Sequence, residues 1–271
     1  MTIPALPVTP ALARRLCGRP LMLLLDIDGT LSPIAPRPEY AIVPLDTQQV
    51  LAELAALPYA SVVAISGRAA DDARRVVGVD GIWIIGNHGF EIAPPNRPAE
   101  TRPEVAPFAA RIADAAARCS TIAQHTPGVV VEDKQWTVSV HYRLAHPSIV
   151  PALSNEIADV ARDLGLRVTR GKEVLELRPP IDIDKGTAAA ELAARLGALH
   201  AGASLLCAGD DRTDEDAFRA LRAASPTSVT VHVGTDPAAF ETDAEFYVLD
   251  TTAMRELLEV VLVLQRGGSP I

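Results

Sequence analysis

"LMLLLDIDGTLSPI", residues 21–34, decides the fold: five apolar residues run straight into Asp26-Ile27-Asp28-Gly29-Thr30. An unbroken apolar run of this length reads as a strand buried on both faces. Strands alternate faces, so Asp26 and Asp28 are expected to point the same way. Two carboxylates that close repel by about 4 kcal/mol at ~4 Å and an effective dielectric of about 20. A cation, a shared proton or solvent at an exposed strand end must offset that repulsion.

The same punctuation recurs along the chain. Apolar runs at 60–65 ("ASVVAI"), 82–85 ("IWII") and 203–208 ("ASLLCA") end in Ser66-Gly67-Arg68, Gly86-Asn87-His88-Gly89 and Gly209-Asp210-Asp211. Helical patterns fall between them. One spans 46–57, with Asp46 as its expected cap, and others cover 185–197, 214–223 and 252–264; a further strand is expected at 228–233. Alternating helices and short apolar strands indicate an α/β fold with a doubly wound, mainly parallel sheet. Ligands gather at the carboxyl ends of strands in such sheets, which is where these polar residues converge.

The middle of the chain reads differently. Proline-rich stretches at 93–103 and 178–184 bracket a helix, strand pair, helix, strand pair pattern, with helices over about 104–120 and 148–164. This predicts a core of residues 1–98 and 181–271 interrupted by an inserted α+β domain at 99–180. In "KQWTVSVHYR", Trp136, Val138, Val140 and Tyr142 share one face and Thr137, Ser139, His141 and Arg143 the other. In "GKEVLELR", Leu175 and Leu177 oppose Lys172, Glu176 and Arg178. The polar face reads either as a solvated surface or as a donor-rich platform for a polyhydroxyl ligand.

Composition narrows the function. The 271 residues are 48% hydrophobic and 22% charged, with a formal net charge of −9 and no basic block, which argues against nucleic acid as a partner. Cys17, Cys119 and Cys207 have neither metal-ligand nor disulfide spacing, so a reducing, cytosolic setting is expected. The amino-terminal stretch lacks the apolar core of a signal peptide, and the run near 257–264 is too short to span a membrane. Lysine occurs only at 134, 172 and 185 in a chain otherwise reliant on arginine, by chance or because a compact ammonium is needed there.

The carboxylates suggest phosphoryl transfer. A carboxylate can attack a phosphoryl group to form an aspartyl-phosphate, and Mg²⁺ favours oxygen ligands and phosphate. Asp26 is then the candidate nucleophile and metal ligand, and Asp28 the candidate acid and base. Gly29 permits a sharp turn, with backbone N–H groups near Gly29 and Thr30 available to phosphate oxygens. "DIDGT" alone also admits a second reading, a polar turn after a buried strand. In "GDDRTDEDAF", Asp210, Asp211 and Asp214 read as an acidic helix start or as further metal ligands. Ser66 offers a hydroxyl, though Ser66-Gly67 is also an ordinary turn. Lys185 opposes the dipole of the helix it begins, which favours a functional role. His88 either braces its loop or touches substrate.

The ordered set "DIDGT", "SGR", "DKG" and "GDDRTDE" resembles the haloacid dehalogenase superfamily of phosphotransferases. More narrowly, "DGTLSPIAPRPEYAIVP", "AISGR", "GNHGFE", "HYR", "GKEVLELRP" and "GDDRTDEDAF" are similar to segments of trehalose-6-phosphate phosphatases, in the same order. The resemblance implies a Rossmann-like core with a sheet-type cap that selects substrate, and an Mg²⁺-dependent enzyme acting on trehalose 6-phosphate; beside it, a cytoplasmic setting and a monomer are expected. It implies phosphate contacts from Ser66, Gly67 and Lys185, and metal held by Asp26, the Asp28 carbonyl and Asp210. Asp214 would lie in the outer metal shell, with Asp211 nearby. Arg68, His88, Lys134, His141, Arg143, Lys172, Glu176 and Arg178 are the implied substrate contacts. Two other readings keep part of this: a phosphatase of a related sugar or pseudo-disaccharide phosphate, and a non-catalytic sugar-phosphate sensor.

Overall fold

The computed structural model describes residues 9–234 and 242–267. The chain divides into two compact units, Met1–Glu100 with Ile183–Ile271, and Thr101–Asp182. Of the amino-terminal stretch read as lacking a leader, residues 1–8 lie outside the described residues.

The first unit is built on strand β1 (Leu21–Leu25), whose five residues are all buried. Before it lies helix α1 (Pro10–Leu16), capped by Thr9, which buries Leu12, Ala13 and Leu16. After it come α2 (Leu45–Ala55), β2 (Ala60–Ile65), α3 (Ala70–Val77), β3 (Trp83–Gly86), β4 (Glu91–Ala93) and, at the boundary, β5 (Glu100–Thr101). The second unit contains α4 (Ala109–Gln124), β6 (Val130–Asp133), β7 (Val138–His141), α5 (Val150–Asp163), β8 (Arg167–Gly171) and β9 (Val174–Arg178). The chain then returns to the first unit through α6 (Lys185–Arg195), β10 (Ser204–Gly209), α7 (Arg212–Ala224), β11 (Val229–Val233), β12 (Phe246–Val248) and α8 (Thr251–Gln265).

The large sheet has the order β12-β11-β10-β1-β2-β3-β4-β5, with β12 through β3 mutually parallel and β4 antiparallel to β3. Successive β1 side chains feed two cores. Leu21, Leu23 and Leu25 pack with Leu51, Leu54, Val76 and Leu258, while Met22 and Leu24 pack with Leu192, Phe218 and Leu221. That two-sided burial accounts for the absence of polar alternation before Asp26. Leu25 pairs with Ala208 on one side and Ala64 on the other, so Asp26, just past β1, stands level with Gly209 and Ile65, the last residues of β10 and β2.

Element boundaries differ from expectation at a few ends. Helix α2 begins at Leu45 with Pro44 as its N-cap, and Asp46 lies in the first turn, accepting from the Thr47 N–H (2.8 Å). The expected helices at 104–120 and 148–164 begin later, after short 3₁₀ turns at Ala106–Phe108 and Pro147–Ile149. In the second unit the antiparallel order is β6-β7-β9-β8. Its apolar face, with Val138, Val140, Leu175 and Leu177, packs on Ile112, Cys119, Leu153 and Ile157 of the two helices. No helix among the described residues is long and apolar enough to cross a membrane.

Candidate active site

The two carboxylates after β1 take separate cations. Asp26 is buried, and its Oδ1 accepts from Lys185 Nζ at 2.6 Å. The Asp28 carboxylate meets the Arg68 guanidinium edge-on, with Arg68 Nε to Oδ2 and Nη2 to Oδ1 both at 2.7 Å. The repulsion expected between stacked aspartates is thus relieved by two different basic groups, one on each side chain.

Around Asp26 the acidic cluster is compact. Asp26, Asp210 and Asp214 each offer an oxygen within 4.8 Å of the others. Asp214 Oδ1 accepts from Lys185 Nζ (2.7 Å), and its Oδ2 accepts from the Asp210 and Asp211 N–H groups (3.1 and 3.0 Å). Asp214 therefore ties the start of α7 to Lys185, while Asp211 serves as the N-cap of α7 and accepts from Arg212 N–H (2.6 Å). Neither Asp211 nor the Asp28 side chain belongs to the cluster of three. Lys185 sits in the first turn of α6, whose N-cap is Asp184 in a reciprocal capping box with Thr187. Its unfavourable place at the positive end of a helix is offset by two carboxylates within 2.7 Å.

Electrostatics follow from that packing. Desolvation, together with the Asp214 and Asp210 carboxylates, pushes Asp26 well above the ordinary carboxylate range, and the Lys185 charge only partly opposes it. For Lys185, burial works against the charge, but Asp214 and Asp26 outweigh it and hold the ammonium above its ordinary value. Asp26, Asp210 and Asp214 together present a compact set of hard oxygen donors, which suits a divalent cation.

The turn that follows is shaped by close approach. Gly29 has φ +94°, and a Cβ there would lie 2.2 Å from Asp210 Oδ2. Only glycine lets β1 deliver its turn this near to the carboxylate at the end of β10. The Gly29 N–H, expected to face phosphate, instead donates to Ser32 O at 2.7 Å and closes the turn. Thr30 Oγ1 is buried and makes no hydrogen bond with the described residues, so this hydroxyl is the group left in the turn with unmet capacity.

Ser66 is buried after β2, its Oγ accepting from the Arg68 N–H at 3.2 Å. At Gly67 a Cβ would lie 2.4 Å from His88 Nε2, so the His88 ring packs directly on this backbone. Asn87 and His88 both have positive φ, and their N–H groups donate to Arg68 O (2.7 Å) and Ser66 O (3.0 Å). Glu91 secures the loop by accepting from Asn87 Nδ2 (2.7 Å) and the Ala70 N–H (2.9 Å). Arg68, expected on substrate, has its guanidinium committed to Asp28, to Asp72 Oδ2 (2.6 Å) and to Pro38 O (3.1 Å). Asp72 was not singled out from the sequence, although its place four residues beyond Arg68 is the ordinary spacing of a local ion pair.

In the second unit, Glu176 Oε1 is buried among Lys134 Nζ, Thr137 Oγ1 and Ser139 Oγ, each at 3.3 Å. The register that pairs Ser139 with Glu176 and Glu132 with Ser139 brings His141 Nε2 to 3.0 Å from Glu132 Oε2. Arg178 is buried at the end of β9. Lys172 is displaced from the expected face: it is exposed in the turn between β8 and β9, beside Glu173, which takes φ +63°. Arg143 Nε pairs with Glu173 Oε2 of that turn at 2.7 Å.

A mainly parallel sheet with an acid cluster at its carboxyl edge, joined in one chain to a separate antiparallel sheet, is the architecture of haloacid dehalogenase-type phosphatases. Within that class, the match over residues 24–252 places the chain in the trehalose-phosphatase family. Over 225 residues it is 41% identical to an uncharacterized glycosyl hydrolase of Mycobacterium tuberculosis, covering 82% of this chain and 17% of that protein. Over 239 residues it is 37% identical to a trehalose-phosphate phosphatase of Mycobacterium avium, covering 88% and 61% respectively. The chain thus spans less than two thirds of these relatives' length. The crystal structure of a trehalose-6-phosphate phosphatase related protein matches with a TM-score of 0.78 and 26% identity, covering 91% of this chain and 99% of that one.

Proposed function

We propose that the chain hydrolyses trehalose 6-phosphate to trehalose and inorganic phosphate, with Mg²⁺ held by Asp26, Asp210 and the Asp28 carbonyl. The observation that carries this reading is the buried Asp26 carboxylate, gripped by Lys185 at 2.6 Å within a cluster of three acids. When bound, the cation supplies positive charge that ionises Asp26 and steadies phosphate oxygens. An Asp26 oxygen attacks phosphorus, the bond from phosphorus to the sugar oxygen breaks, and Asp28 gives that oxygen a proton. Asp28 then takes a proton from the water that attacks the aspartyl-phosphate, releasing phosphate and restoring Asp26. Lys185, Ser66 and Thr30 hold phosphate oxygens, and Asp214 keeps Lys185 in place.

Choice of sugar is assigned to the polar sheet face with Lys134, His141, Glu176 and Arg178, and the named relatives support trehalose 6-phosphate as its occupant. Three free cysteines support a reducing, cytoplasmic setting. The test is phosphate release with Mg²⁺ from trehalose 6-phosphate, sucrose 6-phosphate, glucose 6-phosphate and 4-nitrophenyl phosphate. A strong preference for the first, abolished by chelator, is expected. Metal-dependent release without preference would overturn the sugar assignment, and no release from any ester would favour the sensor.

A further inference from the structure

We infer that Arg68 is a positioning residue for Asp28 rather than a substrate ligand. This rests on the phosphatase reading above, in which Asp28 moves the protons of both half-reactions. Asp28 lies in a turn just past the sheet, with its side chain 36% exposed, and a single carboxylate there would sample several rotamers. The two-point contact with Arg68 fixes both the place and the plane of the carboxylate, and leaves each oxygen a second lone pair for a proton or a water. Arg68 can act as the fixed partner because it is itself immobile. Its side chain is 8% exposed, its Nη1 is held by Asp72 and Pro38 O, and Asp72 is gripped from outside by Arg75 Nη2 at 2.7 Å. Its backbone is pinned at both ends, by Ser66 Oγ on its N–H and by Asn87 N–H on its carbonyl.

Two carboxylates on one guanidinium also leave little of its charge for a phosphate dianion, which argues against direct substrate binding. The loop that carries Ser66 therefore carries the device that sets Asp28, and both are registered to β1 through β2. A lysine could match the charge but not the fork.

Leaving-group chemistry gives the test. Sugar alkoxide needs a proton as its bond to phosphorus breaks, whereas nitrophenolate leaves without one; water attack on the aspartyl-phosphate needs the base with either ester. The unaltered chain, Arg68→Met and Arg68→Lys are compared with Mg²⁺ on trehalose 6-phosphate and 4-nitrophenyl phosphate. For both variants, kcat on trehalose 6-phosphate is expected to fall about 100-fold with KM within about threefold. On 4-nitrophenyl phosphate, rapid mixing should show a burst of about one nitrophenolate per active site before a slow steady state. A rise in KM with kcat preserved would instead make Arg68 a substrate contact. Loss of the burst together with steady turnover, or Arg68→Lys behaving like the unaltered chain, would also overturn the inference. If the unaltered chain released phosphate from neither ester, the phosphatase reading would fall first and take this one with it.

Discussion

Asp26 and Asp28 stand two residues apart in sequence yet are separated in chemistry by their cations, an ammonium for one and a guanidinium for the other. Lys185 reaches Asp26 as a point charge and spans to Asp214, a geometry that a branched guanidinium would fill differently. Of the three lysines, this one and Lys134 stand on buried carboxylates, whereas Lys172 is exposed. Asp26→Asn leaves Lys185 paired with Asp214, so the fold should persist while the nucleophile is lost. Turnover is expected to drop at least about a thousandfold with Tm little changed, measured by phosphate release and thermal melting. Near-normal turnover in that variant would remove Asp26 from its assigned role.

At the scale of elements, the ends of β1, β2 and β10 and the starts of α6 and α7 bring the site together, and the loop after β3 braces it. Helix α3 carries part of the burden through Asp72. Burial alone would raise that carboxyl, but Arg68 and Arg75 outweigh it and hold it below the ordinary 3.8. A depressed carboxylate adds stability above its unfolded pKa and loses it as pH falls through the folded value. The Tm gap between the unaltered chain and Asp72→Asn should therefore be widest near neutral pH and close below about pH 4, followed by melting across pH 3–7. In the four-stranded sheet, β9 places Glu176 where it gathers Lys134, Thr137 and Ser139. Glu176→Ala is expected to lower kcat/KM for trehalose 6-phosphate at least about tenfold while changing 4-nitrophenyl phosphate hydrolysis far less. Equal losses on both esters would count against a sugar contact.

Over the whole molecule, a cation that binds only the folded cluster should stabilise the chain by linkage. Mg²⁺ at about 100 times its Kd adds roughly 2.7 kcal/mol, which at this size raises Tm by roughly 5–10 °C. Asp210→Asn should abolish most of that rise, and a melt indifferent to Mg²⁺ would argue against the assigned metal site. The layered architecture was legible in the sequence because burial imposes periodicity: a strand covered on both faces must be continuously apolar, as Leu21–Leu25 is. The acids were legible too, because charges at the end of such a strand need an explanation. What the sequence could not carry was the pairing. That Arg68 clamps Asp28, that Glu91 holds the Asn87–His88 loop, and that the Gly29 N–H is spent on Ser32 all depend on side-chain direction and backbone torsion. Linear spacing determines which residues can share a face or a sheet edge. Which partner each one takes is decided only when parallel strands distant in sequence set their ends side by side, because hydrogen bonds and ion pairs act over a few ångströms.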